Sequence, residues 1–171
     1  LLHLIRVMMR RFGSDERGAM LVEMTLITPL MLVLSAGVFE FANLFEKKLL
    51  IEAGLRDGAR YAARCSPFND ATCLTRAANI AATGSYNCGG NCSIARRVSG
   101  WLPSAVTVDP DFLVLASKDG SGNLLYRSTM ANVYTVKVST SFTYTGFSLL
   151  AYLGLSPIVL TGFQEERYIG W

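Results

Sequence analysis

AMLVEMTLITPLMLVLSAGVFEFANLF, residues 19–45, decides how this chain is read. Glu23 and Glu40 are its only charges, and residues 24–39 carry none at all. A helix rises about 1.5 Å per residue, so roughly 20 residues cross a hydrocarbon layer approximately 30 Å thick. The stretch is therefore long enough to span a membrane once as a helix. Upstream, Arg6, Arg10, Arg11 and Arg17 outnumber Asp15 and Glu16. Positive charge stays on the cytoplasmic side, which predicts an exported chain beyond about residue 45.

The remaining composition fits one anchor and one modest domain. Of 171 residues, 51% are hydrophobic and 17% charged, and one core is what such a length supports. The formal charge of +3 divides into +2 over residues 1–18 (four Arg less two acids) and +1 for the rest. No concentrated basic face follows, so a nucleic-acid partner is not expected. The sole histidine, His3, lies in the basic leader, which removes Ser-His-Asp, Cys-His and histidine-metal chemistry from the exported part. Asp109 and Asp111, split by Pro110, read as a solvated turn between strands rather than as paired catalytic carboxylates. No catalytic residue, metal or cofactor is expected.

Cys65, Cys73, Cys88 and Cys92 all follow the span. An even count in an exported domain favours disulfides, with three connectivities open. Pairing Cys65 with Cys73 and Cys88 with Cys92 closes two local loops and is preferred. The wide Cys65 to Cys73 spacing disfavours zinc.

At the start of the span, small residues precede the apolar run instead of following it, the reverse of an ordinary secretory signal. Cutting between Gly18 and Ala19 removes the basic leader, keeps the anchor, and makes Glu23 the fifth residue of the processed chain. This resembles the type IV prepilin cleavage pattern. An ionised carboxylate inside a bilayer costs several kcal/mol unless it finds a partner or the interface. The resemblance implies that the α-amino group of a processed subunit meets Glu23. Hydration at the cytoplasmic interface is the plainer alternative. Pro29 is able to kink the helix, and Ser35-Ala36-Gly37 allows another backbone to approach at Ala36 and Gly37. Glu40 is read as marking the outer interface.

The helix is expected to continue through residues 46–64 as an amphipathic extension. Ile51, Leu55, Ala59 and Ala62 share one face, while Glu52, Arg56 and Arg60 form a charged ladder. Gly54 and Gly58 are sites of close packing or bending.

Arg17-Gly18-Ala19, Val22-Glu23-Met24-Thr25-Leu26, Pro29-Leu30, Gly37, Phe39-Glu40 and Asp57-Gly58-Ala59-Arg60-Tyr61-Ala62-Ala63 together resemble the TadE-like family, pseudopilins and assembly proteins of the tight-adherence (Tad, or Flp) pilus. The resemblance covers residues 13–64; beyond them it extends only to general plan. It implies a minor pilin or pseudopilin-like protein acting with pilin subunits, a prepilin peptidase and the secretion-system machinery of a bacterial inner membrane. The N-terminus would be cytoplasmic and the C-terminal domain periplasmic or extracellular. A membrane-anchored adhesion or binding module that never enters a filament is the alternative.

In the exported part, Asp70 caps a helix running to about Gly84. Strands are expected over residues 105–109, 112–117, 124–127, 131–144 and 158–168. In the longest, Tyr134, Val136, Val138, Thr140, Phe142 and Tyr144 form the buried face. Asp119-Gly120-Ser121-Gly122-Asn123 is a hairpin turn, and residues 146–157 are too short for a second span. Trp101 and Trp171 are assigned to packing. The predicted class is α+β and pilin-like: a leader at 1–18, a transmembrane helix at 19–45, its extension at 46–64 and an antiparallel-sheet domain at 65–171.

Overall fold

A computed structural model describes residues 16–87, 94–128, 130–144 and 157–170. Cys88, Cys92, His3, Trp171 and most of the apolar stretch 146–157 lie outside them. The chain divides into two compact units, Leu1–Ala42 and Asn43–Trp171.

One helix, α1 (Glu16–Ala62), runs through the whole apolar stretch and its extension. A helix of this kind is about 70 Å long at 1.5 Å per residue. Pro29 lies inside it without ending it. The second helix, α2 (Ala71–Thr83), begins where expected: the Asp70 carboxylate accepts a hydrogen bond from the Cys73 amide at 2.9 Å. It stops at Gly84, whose φ of 78° is the left-handed value that glycine reaches without penalty. A short 3-10 turn at Pro103–Ala105 leads into the sheet.

The sheet has three antiparallel strands in the order β1 (Val106–Ala116), β2 (Asn132–Thr143) and β3 (Val159–Arg167). The whole is α+β, as predicted, although three expected details change. The two short strands around Asp109-Pro110-Asp111 are one strand, and these residues mark no turn. The register slips there: Asp109 faces Lys137 but Leu113 faces Thr135, so β1 carries two extra residues. Proline lacks a ladder donor, and an edge strand with an irregular register is where a sheet tolerates it. Residues 124–127 form no strand. Only an isolated bridge joins Lys118 to Leu124, because Ser117 takes the Leu125 and Tyr126 amides onto its carbonyl instead. On β2 the predicted alternation is observed, but Val133, which alternation puts on the opposite face from Tyr134 and Val136, is buried too.

The core lies between the C-terminal part of α1, α2 and one face of the sheet. Ile51, Leu55, Ala59 and Ala62 are fully buried, together with Ala77, Ala81, Trp101, Val136 and Val138. Gly54 and Gly58 let α2 lie against α1: a Cβ at Gly54 would stand 2.3 Å from the Ala81 carbonyl, and one at Gly58 would stand 3.0 Å from that of Ala77. Trp101 fills the space beside Gly54, and its indole N–H donates to Thr140 Oγ1 at 3.0 Å. That hydroxyl passes the chain on to the Ala105 carbonyl at 2.6 Å. A buried indole thus has the partner it needs.

The junction of the two helices is pinned from three directions. A disulfide joins Cys65 to Cys73, one of the two local pairings favoured from sequence. The Tyr168 hydroxyl donates to the Cys65 carbonyl at 2.6 Å, and the Ile169 amide donates to the Ala63 carbonyl at 3.0 Å. Phe68 stacks on Tyr134, ring centroids 4.4 Å apart.

Candidate functional site

Along α1, residues 20–39 are exposed apart from a half-buried Ala36. Leu21 is 70% exposed, Leu26 72% and Phe39 72%. Soluble surfaces avoid so continuous an apolar face. The segment from Met20 onward is a helix long and apolar enough to cross a membrane, a candidate anchor.

Glu23 stands on this surface, exposed, with no ion pair among the described residues. Helical spacing places Ala19 and Met20 one turn before it and Leu26 and Ile27 one turn after. Within its own helix the carboxylate therefore has only apolar neighbours. In hydrocarbon such a group needs an outside cation; in water it needs none.

The Gly18–Ala19 peptide lies within α1. Pro29 removes the amide that the Thr25 carbonyl would accept one turn earlier. Thr25 itself donates its hydroxyl to the Leu21 carbonyl at 2.7 Å. A Cβ at Gly37 would meet nothing within 4 Å, leaving an open position for a neighbouring backbone.

Glu40, read as marking the outer interface, is only 5% exposed, and its Oε1 has no hydrogen-bond partner among the described residues. A stripe was legible in sequence: Glu40 and Leu44 precede Ile51 and Leu55 on one helical face by spacing of four and seven. The charge obscured it.

The ladder at Glu52, Arg56 and Arg60 does not pair along itself. Glu52 takes Lys48 at 3.3 Å, and Arg60 reaches Glu166 of β3 at 3.9 Å. Asp57 instead binds Arg97 at 2.6 Å, tying the segment before Trp101 to α1. Asp109 and Asp111 are exposed on β1. Among the described residues, no group of three or more His, Cys, Asp or Glu is arranged to hold a metal ion.

The Asp119 turn forms as expected. Its carboxylate accepts from the Ser121 amide at 2.9 Å, the Asn123 amide at 2.8 Å and the Asn123 side chain at 2.9 Å. The Asn123 side chain, then its amide, hold the Asp119 carboxyl below the ordinary value of 3.8. These donors stabilise the ionised form.

No curated relative and no solved structure matches the chain. Residues 18–60 match the family model for TadE-like protein. The matched stretch opens at Gly18, contains Glu23, Pro29 and Gly37, and closes at Arg60, so the similarity to a TadE-like domain covers most of α1, from the exposed apolar face into the buried stripe.

Proposed function

We propose that this chain is a minor pilin or pseudopilin-like protein supporting assembly of a tight-adherence pilus or a related secretion system, with no catalytic role of its own. The observation that carries the reading is the coincidence of the TadE-like match with an exposed apolar helix on which Glu23 is exposed and has no ion pair among the described residues. In this reading α1 crosses the bacterial inner membrane once, N-terminus in the cytoplasm, and the unit from Asn43 onward faces the periplasm or the exterior. The Cys65–Cys73 bridge supports that side, since disulfides persist in oxidising compartments. A prepilin peptidase cuts between Gly18 and Ala19, and the new α-amino group of one subunit meets Glu23 of another. Pilin subunits pack against Pro29, Ala36 and Gly37.

Two measurements test this. N-terminal sequencing of the membrane-extracted protein should begin at Ala19; a chain that still carries Arg17 refutes the processing step. Replacing Glu23 with Ala should cut surface pili at least about tenfold, the loss expected for an unmatched charge contact of some 1.4 kcal/mol or more. Normal piliation with Glu23→Ala at wild-type protein levels would remove the assembly role of this carboxylate.

A further inference from the structure

The unit from Asn43 to Trp171 carries an exposed arginine ladder beside one edge of its sheet, where Glu165 and Glu166 also stand, and an exposed aspartate pair on the other edge. On the β3 side, Arg56, Arg60 and Arg64 follow one another at intervals of four residues, and all three are exposed. Arg60 places this ladder beside β3 through its contact with Glu166, and Lys48 of the same helix donates to the Thr161 carbonyl of that strand. The Glu166 contact is long, at 3.9 Å, and the Arg60 side chain remains 63% exposed. Arg56 and Arg64 have no ion pair among the described residues.

On the other edge, β1 presents Asp109 and Asp111, both exposed and without an ion pair among the described residues. Lys137 faces Asp109 in register, but its ammonium lies 4.0 Å from the Phe112 ring centre, 4.8 Å from that of Phe163 and 4.0 Å from Glu165. Beside the two aspartates β1 turns apolar, with Phe112, Leu113, Val114 and Leu115 between 37% and 45% exposed. Being an edge strand, it has a row of backbone groups there without a second strand among the described residues.

From this complementarity we infer that the exported unit binds a second copy of this chain edge to edge, the Arg56–Arg60–Arg64 ladder of one molecule against Asp109 and Asp111 of the next. Two different surfaces meet, so the contact is heterologous and repeats without closing unless its rotation happens to form a ring. The inference rests on the membrane reading above, because copies anchored in one bilayer keep a common orientation and meet side by side. Charge sets the order of the copies, and the apolar half of β1 supplies the area that is removed from water.

The test uses the full chain in zwitterionic phosphatidylcholine vesicles, with energy transfer measured between donor- and acceptor-labelled copies. Arg56→Glu/Arg60→Glu/Arg64→Glu makes both edges negative, and Asp109→Arg/Asp111→Arg makes both positive. Each variant alone should associate at least about tenfold more weakly than the wild type. Mixing the two should restore transfer, since each reversed edge then meets its opposite. The neutral forms, Arg→Gln at the three positions and Asp→Asn at the two, keep the test valid where a reversed chain does not fold. They should associate more weakly and lose the salt dependence of the wild type. Wild-type transfer in any folded single set, or no recovery in the mixture of folded variants, overturns the proposal. So does a ladder variant that loses only its binding to added anionic vesicles, which would assign the arginines to lipid. Because pili are not needed for this measurement, its failure leaves the Glu23 reading intact.

Discussion

Gly54 shows how much one missing side chain decides. The Ala81 carbonyl occupies the place of its Cβ, and Trp101 closes the remaining space. Alanine improves helix propensity by about 1 kcal/mol, whereas forcing α2 away from α1 costs about 1–3 kcal/mol. Packing should prevail, so Gly54→Ala is expected to lower the thermal midpoint of the detergent-solubilised chain by several degrees. Gly120→Ala, where a Cβ meets nothing within 4 Å, is the control and should leave it unchanged. Asp119 gives a prediction in pH. Its folded carboxyl titrates lower than the unfolded one, so its contribution is complete above the unfolded value and is lost as pH falls through the depressed folded value. Amide signals of Ser121 and Asn123 should shift together below the ordinary aspartate range. In Asp119→Asn that acid-range transition should vanish.

Among the elements, α1 does two kinds of work. Its first half exposes leucine, methionine and phenylalanine; its second half buries a narrow stripe of Ile51, Leu55, Ala59 and Ala62. The turn from α1 to α2 depends on Cys65–Cys73, which closes a short loop with a sequence separation of eight. In the chain-entropy picture such a loop is worth about 2–3 kcal/mol. Reduction, or replacement of both cysteines by serine, should therefore destabilise the unit from Asn43 onward by that amount, measured by chemical denaturation. Faster amide exchange should be concentrated in α2, and unchanged exchange there would show that Asp70, Tyr168 and Phe68 hold the junction without the bridge. Strand β1 combines a proline, a register slip and an open edge.

Across the whole molecule, the readable parts were those governed by short periods. A long uncharged run, a 3.6-residue stripe and a two-residue alternation each constrain the local backbone before any neighbour is known. They gave α1, the buried face of β2, the Asp70 cap and the Asp119 turn. The preferred local pairing of Cys65 with Cys73 also follows from short separation. Contacts distant along the chain were not legible. Pro110 read as a turn because proline usually ends a strand, yet an edge position with a slipped register accommodates it. Residues 124–127 read as a strand by composition, but the Ser117 carbonyl captures their amides. Sequence by itself therefore determined the candidate anchor, its carboxylate and the α+β class, because local periodicity and hydrophobicity suffice for them. Only the tertiary structure decided which glycines face another backbone, which strand edge stays open, and where the arginine ladder and the aspartate pair stand, because these depend on how separate segments meet.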